Sequence, residues 1–181
     1  MSSNVLYKTR CYLVGHMQYA QAHFNWREYV EQQLAERHIT FFNPLKKPFL
    51  TAVNETASTR NFLMEKLRKK EGQYVYNHMK QIRVHDLNLV DRSDFIIAHL
   101  IPNVASWGSA EEIVCANRMK KPIFISISGG CRNVPLWLAG MLPPNYFYDD
   151  VHKIVDMIKE IDDNKKELDS DRWRLLDKKY R

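Results

Sequence analysis

Short apolar runs alternate with amphipathic stretches along the chain. Residues 11–14, 95–100 and 122–127 have the length of a strand, and the last two are apolar at nearly every position. Continuous apolar character is typical of strands covered by helices on both faces. Two weaker segments, residues 39–42 and 146–148, complete the set of predicted strands. The pattern therefore predicts a five-stranded, mostly parallel sheet.

Segments with helical spacing of apolar residues lie between these strands. The predicted helices cover residues 22–37, 59–70, 74–90 with a candidate break near Val84 and His85, 109–118 with Ser109 as N-cap, 135–141, and 151–161 behind Asp149 and Asp150. Alternation of strands and helices indicates the α/β class. We expect a flavodoxin-like three-layer sandwich with strand order 2-1-3-4-5 and a helical insertion around residues 46–80.

Composition favours a single globular domain. Of 181 residues, 45% are hydrophobic and 27% charged, which suits one domain over residues 1–165 followed by a charged helix or tail over 166–181. No apolar run approaches the roughly 20 residues that cross a bilayer, and the N-terminal residues lack a secretory apolar region. We expect a cytoplasmic protein with no membrane partner.

Cysteine and histidine usage gives no sign of a bound metal. Cys11, Cys115 and Cys131 form no C-x-x-C pair, and the seven histidines show no ligand spacing. Neither a Walker loop nor a G-x-G-x-x-G turn occurs, which disfavours an NTPase or a dinucleotide-binding oxidoreductase. We therefore expect no metal and no cofactor.

The positive charge is concentrated in one segment. The chain has a net charge of +6, and residues 46–80 hold eight Lys and Arg against three Asp and Glu. A protein that coats nucleic acid would spread this charge more evenly, so a nucleic-acid partner is not expected. The segment indicates either a local patch, with the run Lys66–Lys70 as its densest part, or a loop that faces an anion.

Acidic residues are expected at the ligand-binding edge of the sheet, where the carboxyl ends of the strands lie. Glu111 and Glu112 are placed in the first turn of the helix after strand 95–100. Asp86 is placed near the start of a short helix that leads into the same strand. Two carboxylates at one edge can supply the nucleophile and the proton carrier for glycosidic cleavage. Acids also pair by chance, so a purely structural interpretation stays open.

Four stretches carry a resemblance to a known family. They are Cys11-Tyr12-Leu13-Val14-Gly15, the segment from Asp86-Leu87 to Asp94-Phe95-Ile96-Ile97-Ala98, Gly108-Ser109-Ala110-Glu111-Glu112-Ile113, and Lys121-Pro122-Ile123. Together they resemble the nucleoside 2-deoxyribosyltransferase superfamily, which includes nucleotide N-glycosidases. The resemblance covers the first strand and residues 83–128 well and the final helix loosely, but not residues 46–80.

The resemblance implies roles for individual residues. The family nucleophile, which forms a covalent glycosyl-enzyme intermediate, corresponds to Glu112, with Glu111 as the off-register competitor. The family aspartate that contacts the sugar or transfers a proton corresponds to Asp86. Tyr12 corresponds to an active-site tyrosine, and Gly15 to the glycine that lets the ligand approach the backbone.

Other positions of the same pattern are candidate substrate-binding residues. Gly108 belongs to the glycine-rich turn, and Ser106 stands where nucleotide-cleaving relatives have a phosphate-binding serine. Ser109 is either a second hydroxyl for the ligand or only an N-cap. His16 departs from the proline or serine that the family has after its glycine. Trp107 is interpreted either as a ring that stacks on a base or as a core residue.

The resemblance implies an enzyme acting on the N-glycosidic bond of 2′-deoxyribonucleosides or their 5′-monophosphates. With a second base as acceptor it is a deoxyribosyltransferase, and with water it is a hydrolytic N-glycosidase. The implied partners are a nucleoside or nucleotide, a free base, and further copies of the chain in a dimer or larger homo-oligomer. The rival from another class is a non-catalytic nucleotide-binding or nucleic-acid-associated module.

Overall fold

One parallel sheet forms the centre of the molecule. The computed structural model describes residues 4–16, 25–46, 57–104, 106–166 and 171–173. The strands are β1 (Arg10–Gly15), β2 (Thr40–Phe42), β3 (Phe95–Leu100), β4 (Ile123–Ile127) and β5 (Phe147–Tyr148). Their order is β2-β1-β3-β4-β5, and every neighbouring pair is parallel. The predicted flavodoxin-like sheet and its strand order are confirmed.

Helices connect successive strands. They are α1 (Trp26–Gln33), α2 (Ala57–Arg68), α3 (Gly72–Arg92), α4 (Trp107–Arg118), α5 (Leu136–Ala139) and α6 (Val151–Asp162). As predicted, an aspartate precedes α6: the Asp150 side chain caps the helix by accepting a hydrogen bond from the Lys153 backbone N–H at 3.0 Å. Within the described residues, none of these helices is both long enough and apolar enough to cross a membrane.

The pleat of β1 decides which side chains meet which helices. Successive residues of a strand point to opposite faces of the sheet. Cys11 and Leu13 pack into the core beneath α1 and α6, whereas Tyr12 and Val14 pack into the core beneath α3 and α4. Tyr12 therefore faces the two helices that carry the predicted acidic residues.

Helix α3 differs from the prediction. It continues without a break through Val84 and His85 because a buried stripe of Ile82, Asp86 and Val90 repeats every four residues along it. Asp86 consequently lies well inside a long helix and not near the start of a short one. The helix is fixed against the sheet on both sides of this residue.

Helix α4 begins earlier than predicted. Ser106 occupies the N-cap position, and its carbonyl accepts the first helical bond from the Ala110 N–H at 3.0 Å. Ser109 is therefore not the N-cap. Glu111 and Glu112 lie in the second turn, where the helix dipole has less effect on a carboxylate than in the first turn.

Part of the charged C-terminal segment packs on the sheet. Trp173 is 3% exposed, and its ring contacts those of Phe95 and Phe124 at centroid distances of 5.6 and 5.9 Å. Both phenylalanines lie near the amino ends of their strands, at the end of the sheet opposite the predicted site. The other apolar residues of this segment lie outside the described residues: Leu168, Leu175 and Leu176.

Candidate active site

A cavity of about 500 Å³ lies at the carboxyl ends of the first strands, between α3 and α4. This is the edge at which open α/β sheets bind ligands. All the predicted site residues are among those that line it: Tyr12, Gly15, His16, Asp86, Ser106, Gly108, Ser109 and Glu112. The fold thus brings together side chains that three separate segments of the sequence supply.

Glu112 is held by a tyrosine from the sheet. The Tyr12 hydroxyl donates a hydrogen bond of 2.8 Å to Oε1 of Glu112. Burial raises the pKa of Tyr12 far above its usual value, and the negative charges of Glu112 and Asp86 raise it further. The phenol therefore stays protonated, so it acts as a permanent donor that orients the carboxylate.

Glu111 has a different environment. Nε of Arg83 donates to its Oε2 at 2.8 Å, and Nη2 donates to its Oε1, which makes a two-point ion pair at the surface. The hydrogen bonds from Arg83 lower the pKa of Glu111. Of the two neighbouring carboxylates, Glu112 is thus the one that contacts the buried tyrosine.

Asp86 supplies the second carboxylate of the cavity. It is 9% exposed and belongs to the inward stripe of α3. Its charge is among the causes that raise the pKa of Tyr12, and both side chains line the same cavity. A buried carboxylate is costly to a fold, and such groups cluster at functional sites. Asp86 and Glu112 therefore line one cavity together with Tyr12.

The end of β1 forms another wall. A Cβ atom on Gly15 would lie 2.8 Å from the His99 carbonyl oxygen and 3.1 Å from the Trp26 ring. The protein's own packing thus requires glycine here. His16 follows, and burial together with the charge of Arg27 lowers its pKa. A hydrogen bond with the Ile101 backbone opposes this lowering in part. The imidazole is consequently mainly neutral at pH 7, and its second ring nitrogen is an acceptor.

The start of α4 presents hydroxyl groups and an aromatic ring. The Ser106 hydroxyl donates to Oγ of Ser109 at 2.7 Å, and Ser109 is buried. A Cβ atom on Gly108 would meet nothing within 4 Å. Trp107 is 87% exposed, so its interpretation as a core residue is wrong. Its ring lies at the cavity wall, where it is available to a ligand.

One wall of the cavity escaped the sequence analysis. It is a face of α3, whose residues recur at helical spacing: Tyr76, Met79, Lys80, Arg83 and Leu87. The predicted helix 74–90 includes these residues, but those up to residue 80 are counted in the insertion around 46–80, and none is named as a site residue; in the structure they belong to the same helix as Asp86. The signal that could have found them was the helical periodicity running past Val84.

Comparison with known proteins agrees with this architecture. A 2-deoxyribosyltransferase from the psychrotolerant bacterium Bacillus psychrosaccharolyticus superimposes with a TM-score of 0.52 at 15% identity, over 82% of this chain and 91% of that chain. A CMP N-glycosidase from Clostridium botulinum gives a TM-score of 0.46 at 14% identity, over 83% and 98% of the two chains. At this identity the first likeness concerns the fold alone. A comparison with curated protein sequences gives no significant match.

A sequence-family match carries the assignment further. Residues 11–134 match the profile of a family described as nucleoside 2-deoxyribosyltransferase. The matched range covers well over half of the chain and contains Tyr12, Asp86 and Glu112. The family consists of enzymes that transfer or hydrolyse the glycosyl bond of nucleosides or nucleotides. The protein therefore belongs to the nucleoside 2-deoxyribosyltransferase family.

Proposed function

We propose that the protein cleaves the N-glycosidic bond of a 2′-deoxyribonucleoside and transfers the sugar to a second base through a covalent intermediate on Glu112. One observation carries this proposal. The hydrogen bond of 2.8 Å from Tyr12 orients the Glu112 carboxylate in a cavity of about 500 Å³ that also contains the buried Asp86. A cavity of this size suits a nucleoside.

The reaction proceeds in two displacements at one carbon. A carboxylate oxygen of Glu112 attacks C1′ from the face opposite the base, and the C1′–N bond breaks with its electron pair going to the departing nitrogen. In its protonated form, Asp86 transfers a proton to the base, directly or through water, and becomes a carboxylate. A nitrogen of the acceptor base then attacks C1′, gives its proton to the Asp86 carboxylate and displaces the Glu112 carboxylate, so the configuration at C1′ is retained.

Tyr12 assists by orientation and electrostatics. As a protonated donor it holds the nucleophile in one rotamer, which reduces the entropy that must be lost to reach the attacking geometry. The hydrogen bond also stabilises the carboxylate in its ionised, nucleophilic form. The burial of Tyr12 limits competition from water for this bond.

Substrate contacts come from the two loops at the mouth of the cavity. The neutral His16, whose N–H bonds to the Ile101 backbone, can accept a hydrogen bond from the base edge through its other ring nitrogen. Ser106 and Ser109 offer hydroxyls to the sugar, and Gly108 leaves open space beside them. Trp107 offers a flat apolar face for stacking on a base.

Hydrolysis of a 5′-monophosphate is the second candidate function. It is favoured by Lys80, a cation from the basic segment that lines the same cavity. A phosphate held between Lys80 and the hydroxyls of Ser106 and Ser109 would place C1′ toward the acids. Lys80→Gln would then raise KM for the monophosphate about tenfold, the loss of one charge-assisted contact, and leave the nucleoside KM unchanged.

Purified protein incubated with deoxyribonucleosides and deoxyribonucleoside monophosphates, with and without acceptor bases, tests both reactions. Chromatography separates a new nucleoside from free base, and hence transfer from hydrolysis. Glu112→Gln is expected to lose at least about 10³-fold in kcat, because the nucleophile is gone. Glu111→Gln is the matched control: Glu111 also lines the cavity but is paired with Arg83 and not with Tyr12, so kcat is expected to stay within about fivefold.

Direct detection of the intermediate completes the test. A substrate with fluorine at C2′ slows departure of the sugar from the enzyme, because the fluorine destabilises the oxocarbenium-like transition state. Mass spectrometry is expected to show a glycosyl adduct on Glu112 in the wild type and none in Glu112→Gln. Wild-type activity that Glu112→Gln retains in full, or an adduct on another residue, would overturn the assignment.

Assembly as a homo-oligomer is proposed as well. Trp107, Leu136 and Trp137 are 86 to 90% exposed, which is unusual for large apolar side chains. An interface between copies would remove them from water. Light scattering at micromolar concentration is expected to give a mass of a dimer or more, and a monomer that is fully active would contradict the proposal.

A further inference from the structure

A buried arginine lies directly behind the end of β1. Arg27, in the first turn of α1, is 1% exposed. Its Nη2 donates to the Gly15 carbonyl oxygen at 2.8 Å, and its Nε donates to the Leu13 carbonyl oxygen at 3.4 Å. Its guanidinium also stacks on the Trp26 ring at 4.6 Å. A buried cation is costly, so these contacts must hold it firmly in one place.

The sheet explains why carbonyl groups are available here. Strand β1 pairs with β2 only as far as Tyr12, opposite Phe42, while its pairing with β3 continues to Gly15. The carbonyls of Leu13 and Gly15 are two residues apart and point to the same side of the strand. The guanidinium therefore supplies donors where β2 has ended.

This contact lies next to the active site. The chain passes from Gly15 to His16, and both residues line the cavity. A Cβ on Gly15 would lie 3.2 Å from Nη2 of Arg27, so the absence of a side chain at Gly15 leaves room for the guanidinium. Burial is the largest cause that lowers the pKa of His16 and of His99, and the charge of Arg27 lowers both pKa values further. The guanidinium thus acts on the wall of the cavity by contact and by charge.

We propose that Arg27 is a positioning residue for glycosyl transfer: its guanidinium fixes the last residues of β1, and so keeps Tyr12 and His16 in place around the substrate. The inference rests on the proposed function of the cavity. Arg27 itself does not touch the substrate, because it is 1% exposed and lies behind the wall. Misplacement of a reacting group by about 1 Å can cost about 100-fold in rate, so a residue of this kind matters to kcat.

Three variants test the role. Arg27→Gln removes the charge and most of the fork of donors, whereas Arg27→Lys keeps the charge and loses the planar geometry. Arg37→Gln is the matched control, since Arg37 is bonded to Asp162 and Asp163, away from the cavity. Each variant is compared with the wild type at equal folded fraction, measured by circular dichroism.

The expected result separates catalysis from stability. Arg27→Gln is expected to lose at least about tenfold in kcat with less than about threefold change in KM, because the reacting groups are displaced while the cavity remains. Arg27→Lys is expected to recover part of kcat. Arg37→Gln is expected to lower the melting temperature without changing kcat per folded molecule.

A histidine titration gives a readout that needs no turnover. Besides Arg27 of α1, the described charged or titratable groups that face His16 are His99 of β3 and those lining the same cavity: Tyr12, Tyr76, Lys80, Arg83, Asp86, Glu111 and Glu112. Removal of the cation in Arg27→Gln is expected to move the NMR titration midpoints of His16 and His99 to higher pH. In Arg27→Lys the midpoints are expected to stay near those of the wild type.

The outcomes distinguish the two proposals. A wild-type protein with no activity on the nucleoside panel would refute the proposed function. An active wild type whose kcat is unchanged in Arg27→Gln, or falls equally in Arg37→Gln, would overturn the role of Arg27 alone. If Arg27→Gln does not fold, Arg27→Lys decides: a kcat equal to that of the wild type would overturn the role, and a kcat below that of the wild type at equal folded fraction would support it.

Discussion

Substitution of Gly15 by alanine separates two explanations for this glycine. The family resemblance implies that the ligand approaches the backbone here, whereas the structure places protein atoms where a side chain would lie. An alanine Cβ would be 2.8 Å from the His99 carbonyl oxygen, 3.1 Å from the Trp26 ring and 3.2 Å from Arg27. The first of these neighbours is backbone in the adjacent strand, which cannot rotate away. The end of β1 must therefore shift.

The loss of folding stability in Gly15→Ala follows from the number and kind of these contacts. Forcing an extra carbon into a well-packed region costs roughly 1–3 kcal/mol when the backbone has to move. For a chain of 181 residues, each kcal/mol changes the melting temperature by roughly 2–4 °C. Gly15→Ala is thus expected to melt about 2–12 °C below the wild type.

Gly72→Ala is the matched control. Gly72 begins α3, and a Cβ there would meet nothing within 4 Å. The same chemical change is expected to stabilise the protein by about 0.4–1 kcal/mol, because alanine restricts the unfolded chain. Thermal and urea denaturation of both variants measures the expected loss of stability in Gly15→Ala and the expected gain in Gly72→Ala. A Gly15→Ala variant as stable as the wild type but unable to bind substrate would refute the packing explanation.

Three further predictions concern single contacts. Tyr12→Phe removes a hydrogen bond to the Glu112 carboxylate, and such a bond contributes about 1.5–3 kcal/mol. We therefore expect kcat/KM to fall about 10- to 100-fold. The acidic limb of the pH profile of kcat/KM is expected to move to higher pH, because the bond stabilises the ionised carboxylate, and an unchanged profile would contradict this role. Lys121→Met removes three hydrogen bonds of 2.5 to 2.7 Å to backbone carbonyls at the end of α3, and urea denaturation is expected to show a loss of about 1–3 kcal/mol. Hydrogen bonds from Arg37 and then Lys165 lower the pKa of Asp163 to about 2. Because this pKa is depressed, ionised Asp163 stabilises the folded protein above the ordinary pKa of an aspartate, and this stabilisation disappears as the pH falls from about 4 to about 2. Arg37→Gln lacks the main cause of the depressed pKa. Its melting temperature is therefore expected to fall less steeply over that pH range than the melting temperature of the wild type.

The sheet could be predicted from the sequence because its strands are nearly continuous apolar runs. Strand β3 begins and ends at the predicted residues, and β4 begins one residue later than predicted. Both strands are buried between two helical layers, so burial fixes their length and leaves few alternatives. Their parallel order then follows from the alternation with helices.

The continuity of helix α3 could not be predicted in the same way, although the predicted helix over residues 74–90 lies within α3 (Gly72–Arg92). Tyr76 and Val84 are about half exposed although they are apolar, which blurs the amphipathic pattern on which the prediction depends. The inward stripe of Ile82, Asp86 and Val90 contains a carboxylate, which periodicity counts as polar. The buried Asp86 thus weakens the apolar periodicity of its own helix close to the candidate break.

The choice between Glu111 and Glu112 illustrates what a correct helix boundary adds. Successive residues of an α-helix are about 100° apart, so only one of two neighbours can face the sheet. The buried residues of α4 are Ser109, Ile113 and Ala116. Glu112 lies three residues after the first of these and four before the last, which puts it on the inward side of the helix. Given the start of α4, geometry therefore selects Glu112 without reference to any family, and the hydrogen bond from the buried Tyr12 of β1 is the consequence of that placement.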